Sequence, residues 1–529
     1  MTLSSILIFI AFAVLFRLLA RPRWRAWLLF VASVLAVYWL QPGGPVRYMD
    51  FWLPTLTLAL AVLGWALTRP TPAAAAAAVP APSARQNVAA GAALAGIVLL
   101  VGLTRFLNVS SLILPSRPPA FEQVLAAVAL VALLAAGLAR LTSRPAGLLW
   151  GAIGLLVALL VVIKTPALAT WASASLRSLM NQSTTLAAAG DLRWLGFSYM
   201  AFRLIHTLRE RQNKRLPAVT LQEYLVYVIF FPAFTAGPID RIERFIKDLR
   251  GMGGETTDTG RQTTDDGRSR SILEGPATVE RAGLGIVAAQ GAALAQPQAW
   301  ADWAAAGQRL ALGLLKKFVV ADGLALVALN ATNAAQVGSA GWAWLLLYAY
   351  SLQIYFDFSG YTDIAIGLGR LLGISLPENF NAPYLRPNLT LFWNNWHMTL
   401  TNWFRAYYFN PVTRWLRTFH FSDSVGLPPQ LIMFATQLST FVLIGLWHGV
   451  TWNFVLWGAW HGVGLFVQNR WTEAARPRYA ALENRPRLQK GLSAFTTLLT
   501  FHYVALGWVW FALPDVGLSA RVMGKLFGM

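Results

Sequence analysis

The sequence predicts an all-α, polytopic transmembrane helical protein with about 11–14 membrane-embedded segments, some of them re-entrant or interfacial. Three observations predict it. Only 12% of the 529 residues are charged, and 56% are hydrophobic, whereas soluble domains carry about 25% charged residues. Apolar runs of about 18 residues, each long enough to cross a bilayer, recur along most of the chain. Basic residues gather in short clusters between these runs, such as Arg17, Arg21, Arg23 and Arg25, or Arg209, Arg211, Lys214 and Arg215. That is the pattern of cytoplasmic loops under the positive-inside rule.

The same numbers exclude other classes. A length that would suit about three or four soluble domains is overruled by composition. The net charge of +20 is dispersed among loops and builds no contiguous basic face, so no nucleic acid is expected as a partner. There is no cysteine, which excludes disulfides, thiolate nucleophiles and zinc–thiolate sites.

Residues 3–20 lack a basic n-region and a small-residue cleavage pattern, and their charges follow the apolar run. They are expected to be a retained first helix rather than a signal peptide. Further apolar segments fall at 26–41, 51–67, 88–106, 121–139 and 146–163. The Pro/Ala run near 68–87 is expected to be a linker, because proline removes helix donors and fixes its own φ. The segment 221–236 ends in Phe231-Pro232. A full crossing there would put the Arg-rich loops at 208–215 and 241–281 on opposite faces, so it is expected to be re-entrant or interfacial. Residues 251–275, rich in Gly, Thr, Asp and Arg, are expected to form a disordered loop. Apolar helices are predicted at 283–296, 309–330, 341–356 and 361–374. An aromatic-rich block at 391–416 follows, then helices at 431–446, 451–468 and 491–512. Domain organisation is predicted as N-terminal helices over 1–190, a core that carries the motifs over 191–515, and a C-terminal tail over 516–529.

Polar residues inside apolar segments cost about 2.5–3.5 kcal/mol for a charge at a helix centre, which makes them functional candidates. His448 ends an apolar run, with Gly445 and Gly449 beside it leaving room for a substrate, and imidazole titrates near neutral pH. His461 repeats the Trp-His-Gly triplet thirteen residues on. On one continuous helix the two rings would point about 140° apart; a break at Gly449–Trp452 would change the angle, but a packing or hydrogen-bonding role is favoured for His461. His397 lies among Trp393, Asn394, Asn395 and Trp396, which suits either a cavity lining or an interfacial helix anchored by tryptophan. Asp357 and Asp363 need partners in apolar surroundings. Arg370, Arg386 and Lys316–Lys317 are candidates for a structural ion pair, and a proton relay is the other reading. No phosphate loop, His-Glu-x-x-His or Gly-x-Ser-x-Gly is present, so metal and ATP chemistry have no support.

The run from Gln353 through Asp357, Gly360, Asp363 and Arg370 resembles a signature of the membrane-bound O-acyltransferases (MBOAT). So do Leu376-Pro-Glu-Asn-Phe-Asn-Ala-Pro-Tyr384, Phe392 to Leu400, and Gly445-Leu-Trp-His448-Gly with Trp452-Asn453 and His461. Phe231-Pro232, Ala236 to Arg241 and Gly313 to Asp322 are similar to its bacterial branch of alginate O-acetyltransferases and teichoic-acid D-alanyl transfer protein. The resemblance covers roughly 190–512, and residues 68–190 and 251–297 match nothing in it.

The resemblance implies helices around a central tunnel and acyl transfer from a cytoplasmic thioester (acetyl-CoA or an acyl carrier) to a surface-polymer hydroxyl. It implies a bacterial inner membrane, no bound cofactor, and an extracytoplasmic partner that receives the acyl group in some members. His448 matches the family's catalytic histidine and His397 the second histidine facing it. An oxyanion donor would come from His397, Asn394 or Asn395, and Trp447, Asn453, Asp357 and Asp363 complete the expected substrate-binding set. Two departures stand out: the family has two arginines where this chain has Asn394-Asn395, and Arg-Asp where it has Arg405-Ala406. These suit a different acceptor or partner. The competing class is a transporter or channel using Asp357 and Asp363 as ion or proton sites.

Overall fold

A computed structural model describes residues 2–69, 84–107, 114–141, 145–252, 295–422, 425–480 and 485–529. The cores of the predicted linker and polar loop, and most of the predicted 283–296 helix, lie outside the described residues. The rest is helical apart from a two-strand ribbon, His420–Ser422 with Val425–Gly426. Among the described residues, six helices are long and apolar enough to cross a membrane: Met49–Thr68, Ala84–Phe106, Phe121–Arg140, Ala146–Lys164, Pro429–His448 and Pro486–Ala512.

Burial between helices gains little from the hydrophobic effect when the alternative is lipid, so close backbone approach has to hold membrane helices together. Glycines do this here. A Cβ on Gly445 would collide with the Phe454 carbonyl, and one on Gly458 with the Phe441 carbonyl. These two glycines let Pro429–His448 pack backbone against backbone on Trp452–Ala480. A Cβ on Gly360 would lie 2.8 Å from the Lys317 nitrogen. That contact explains a difference from the sequence reading: 341–356 and 361–374 are one unbroken helix, Ala340–Leu371. Gly360 marks a close crossing with Gly313, not a break. Likewise the predicted 309–330 segment is Ala295–Leu314 continued by a π-helical turn, Leu315–Ala321, and Asp322–Ala325.

The 221–236 segment forms a nine-residue helix, Leu221–Ile229, and a 3-10 turn, Phe231–Ala233. At about 14 Å the helix is far too short for a hydrocarbon core of about 30 Å. Residues 224–234 are all buried. Its orphan C-terminal carbonyls are satisfied by a buried arginine. The Arg203 guanidinium donates to Tyr227 O (3.2 Å), Val228 O (2.9 Å) and Ala233 O (2.8 Å), so irregular backbone is tolerated inside protein. The stretch expected as a tail contains a helix, Val516–Leu526, that buries Leu518, Val522 and Leu526.

Among the described residues two large hydrophobic clusters result, besides a small one at Val46, Met49 and Leu53. One joins the N-terminal helices to residues 197–252 and 364–376. The other is built from Trp393, Trp396, Phe441, Trp457 and Trp508, and it surrounds the histidine motifs.

Candidate active site

The aromatic block folds as Leu389–Asn395 and Met398–Phe404 with a break between them. His397 occupies the break with φ +44°, in the left-handed region that non-glycine residues rarely adopt,. Residues held there cost about 1–3 kcal/mol and persist where surrounding contacts over-determine them. The contacts come from the loop at 379–381. Asn379 O accepts from Met398 N–H (2.9 Å), and Asn381 N–H donates to Asn395 O (3.1 Å). The break turns the imidazole inward, where His397 is 5% exposed.

The Asn379 side chain fixes that ring. Its Oδ1 accepts from Thr399 N–H (3.3 Å) and Thr399 Oγ1–H (2.6 Å), and His397 Nδ1 lies 3.3 Å away. A backbone N–H can only donate, so the amide atom facing it is oxygen. His397 Nδ1 therefore carries the proton, and Nε2 presents a lone pair with no hydrogen-bond partner among the described residues.

His448 is the last residue of Pro429–His448. The chain turns at Gly449–Thr451 before Trp452, so the two Trp-His-Gly triplets lie on separate antiparallel helices rather than on one continuous helix. The turn is docked onto the Ala146–Lys164 helix: Val450 N–H donates to Lys164 O (3.0 Å), and Lys164 Nζ donates to His448 O (3.5 Å). The His448 ring lies against Trp447 (centroids 4.5 Å), Phe511 (4.8 Å) and Trp457 (5.8 Å). Its nitrogens make no hydrogen bond among the described residues.

Trp447 also lies 6.4 Å from His397, so the two histidines meet the same indole. Trp457 similarly links His448 to His461, 5.1 Å away. His461 is fully buried, and neither of its ring nitrogens has a partner among the described residues. Trp447 Nε1 and Trp457 Nε1 are also buried donors without a partner among the described residues. The compartment is thus aromatic and supplied with unspent N–H groups.

Other predicted site residues lie elsewhere. Asn394 accepts from Arg405 Nη2 (2.6 Å), and Asn395 Nδ2 donates to Leu391 O (2.8 Å). Both amides serve their own surface segment. Asn453 Nδ2 donates to Leu513 O and Ser519 Oγ, each at 2.9 Å, which ties its helix to the C-terminal segment. Asp363 is paired with Arg309 (2.5 Å) and Lys316 (2.6 Å), and Asp357 with Lys317. The suggested Lys316–Lys317 partners are in place, Arg309 is an addition, and Arg370 and Arg386 are not partners of these carboxylates among the described residues. Sequence reasoning passed over Asn379, Thr399 and Lys164 as site residues, although Asn379 sits inside the quoted Leu376–Tyr384 motif.

A cavity of about 950 Å³ is lined by His206, Glu210, Arg241, Tyr407 and Arg414 among others, with none of His397, His448 and His461 in its wall. There Ile242 N–H donates to His206 Nε2 (3.2 Å), His206 Nδ1 meets Tyr407 Oη (2.5 Å), and Tyr407 donates to Glu210 (2.7 Å).

Residues 148–505 match the membrane-bound O-acyltransferase family. The match begins upstream of the expected 190 and takes in the helix that ends at Lys164. A teichoic acid D-alanyltransferase of Streptococcus thermophilus is 28% identical over 330 residues, 61% of this chain and 68% of the relative. A peptidoglycan O-acetyltransferase of Helicobacter pylori is 33% identical over 218 residues, 41% of this chain and 38% of the relative. A probable alginate O-acetylase AlgI of Pseudomonas putida is 38% identical over 221 residues, 41% of this chain and 40% of the relative. The chain thus spans less than half the length of the last two relatives. With well over half of its own residues matched, the protein belongs to the membrane-bound O-acyltransferase family and is an acyltransferase.

Proposed function

We propose that the protein transfers an acyl group, acetyl in the first instance, from a cytoplasmic thioester to a hydroxyl of an exported polysaccharide or other surface polymer. Acetyl-CoA or an acyl carrier is the donor, the setting is a bacterial inner membrane, and an extracytoplasmic protein can receive the group in a relay. The relatives are named for acyl transfer to teichoic acid, peptidoglycan and alginate; the proposal extends their shared chemistry to this chain.

The observation that carries the reading is the meeting of His397 and His448 at Trp447 among packed aromatic side chains. A hydroxyl is a weak nucleophile until a base takes its proton, and a placed base contributes about 10²–10⁴-fold. His448 takes that proton. The freed oxygen attacks the thioester carbonyl carbon, the C–S bond breaks, and the thiol leaves with the proton from the His448 imidazolium. His397, whose free nitrogen is an acceptor, holds a neighbouring, non-reacting hydroxyl of the acceptor rather than donating to the oxyanion. Trp447 Nε1–H serves the developing oxyanion in a water-poor site, where such a donor is worth most. The transport reading draws less support, because Asp357 and Asp363 already hold cationic partners.

The test is stoichiometry. Purified protein in lipid nanodiscs, given acetyl-CoA and a surface polysaccharide, is expected to release free thiol in proportion to ester formed. No thiol release with either an acetyl or a D-alanyl thioester would return the transport reading to the front.

A further inference from the structure

A groove of about 510 Å³ lies among four helices, and every residue lining it is Leu, Gly or Ala. Leu63 comes from Met49–Thr68, Leu138 from Phe121–Arg140, Gly147, Gly151 and Leu155 from Ala146–Lys164, and Leu208 from Phe197–Gln212, among others. Gly147, Gly151 and Leu155 are exposed, so the groove opens outward. Gly147 and Gly151 lie one turn apart, and a Cβ on either would meet nothing within 4 Å. Glycines so spaced commonly admit a second membrane helix, and no described helix takes that place.

Length and charge identify the occupant. From Gly147 to Leu156 the groove follows its helix for about 13 Å, roughly half of a hydrocarbon core about 30 Å thick. A crossing helix needs the whole thickness, whereas an acyl chain from one leaflet needs half. The groove begins where Phe121–Arg140 ends, Ala146–Lys164 starts, and Phe197–Gln212 runs into the basic cluster at 209–215, which is the cytoplasmic end under the positive-inside rule. Three arginines stand at that end. Arg140 follows Leu138 by two residues, Arg211 shares a helix face with Leu208, and the Arg209 guanidinium lies 4.7 Å over the Trp150 ring, next to Gly151. None of the three has a carboxylate partner among the described residues. Glu210, between two of them in sequence, accepts from Tyr407 instead.

We propose that the groove binds one anionic phospholipid of the cytoplasmic leaflet, with an acyl chain against Gly147 and Gly151 and the headgroup phosphate among Arg140, Arg209 and Arg211. Basic residues at the membrane surface attract the negative lipids of that leaflet. The bound lipid braces Ala146–Lys164, whose far end accepts from Val450 N–H in the turn after His448. The site stands independently of the acyl-transfer reading.

Full-length protein, delipidated in detergent, is titrated with dioleoyl phosphatidylglycerol or dioleoyl phosphatidylcholine, which share tails and differ in net charge, and native mass spectrometry counts the lipid retained. Wild type is expected to hold one phosphatidylglycerol per chain at least tenfold more tightly than phosphatidylcholine. Gly151→Phe, whose ring fills the groove, is expected to weaken phosphatidylglycerol at least tenfold without lowering the melting temperature. Arg209→Gln with Arg211→Gln is expected to reduce phosphatidylglycerol to the phosphatidylcholine level, whereas Arg23→Gln, in the N-terminal basic cluster, leaves it unchanged. Equal binding of the two lipids by wild type, undiminished phosphatidylglycerol binding by Gly151→Phe, or unchanged selectivity in the double arginine variant would overturn the proposal. Conversion of a wild-type dimer to monomer by Gly151→Phe, with lipid binding unchanged, would assign the groove to a second copy of the chain. If Gly151→Phe does not accumulate, the arginine variants decide the matter.

Discussion

Lys316 Nζ meets Asp363 Oδ2 at 2.6 Å across two packed helices, while its sequence neighbour Lys317 pairs with Asp357. The two consecutive lysines lie on the π-helical turn Leu315–Ala321 and reach carboxylates six residues apart on the facing helix Ala340–Leu371. Arg309 grips Asp363 as well, so the carboxylate with a 6% exposed side chain has two cations.

Removing Asp363 should therefore unsettle the fold more than the chemistry. Asp363→Asn leaves two partly buried cations short of a partner, and breaking a buried pair costs about 3–5 kcal/mol. Here solvent reaches Arg309 and Lys316 (31% and 27% exposed), so about 2–3 kcal/mol is expected. Asp357, 46% exposed, should give less than about 1 kcal/mol as Asn. Thermal unfolding in detergent measures both. Ester formed per folded molecule should stay within about threefold of wild type; collapse of activity in a stable Asp357→Asn protein would favour an ion-site role.

Arg203 makes a prediction in the opposite sense to its surroundings. An arginine 2% exposed in an apolar helix reads as costly, yet it donates to two carbonyls of the short buried helix and one of the turn after it, each closer than 3.3 Å. Arg203→Met should lose about 3 kcal/mol or more by orphaning those carbonyls. Arg203→Lys should recover only part of it, since an ammonium lacks the planar fork. Melting temperature in detergent is the readout, and a neutral Arg203→Met would contradict the capping role.

Gly360 should tolerate no side chain of ordinary size. Its Cβ would lie 2.8 Å from the Lys317 backbone nitrogen, and overpacking costs about 1–3 kcal/mol. Gly360→Val is expected to lower both the melting temperature and the yield of monodisperse protein, and wild-type stability would show the crossing to be looser than described.

How much could be read in advance follows from where each feature is encoded. Apolar runs and basic clusters are local signals, and they located the helices from residue 3 to 163, four of which are long and apolar enough to cross a membrane. The His397 and His448 motifs are likewise local, and the structure brings both to Trp447. The continuity of Ala340–Leu371 was not legible, because Gly360 means a break in isolation and a close crossing only once Gly313 faces it. The contact between Asn379 and His397 was not legible for a similar reason: the two lie eighteen positions apart, with the helix Leu389–Asn395 between them, and only the fold brings them together. Asn394 and Asn395 show the converse. They sit beside the histidine in sequence, but the left-handed turn at His397 sends its ring inward and leaves their amides to Arg405 and Leu391.

Lys164 illustrates a contact that sequence alone does not offer. Val450 N–H bonds the Lys164 carbonyl whatever the side chain is, so only the 3.5 Å contact from Nζ to His448 O is at stake on substitution. Lys164→Met should keep the fold and reduce transfer by about tenfold or less, roughly 1.4 kcal/mol of barrier. Ester per folded molecule reports this, and loss as complete as that expected for His448→Ala would show that the ammonium does more than hold the turn.

The central claim is that His448 performs the acyl transfer. The most direct measurement is ester-linked acyl groups released by mild alkali from the surface polymers of expressing cells, with wild type and His448→Ala compared at equal membrane abundance. The account predicts a clear ester signal for wild type, whose mass identifies the acyl group, and its loss by at least a hundredfold in His448→Ala, the contribution of one placed base. Equal ester in the two would contradict it and leave His448 a packing residue among Trp447, Trp457 and Phe511.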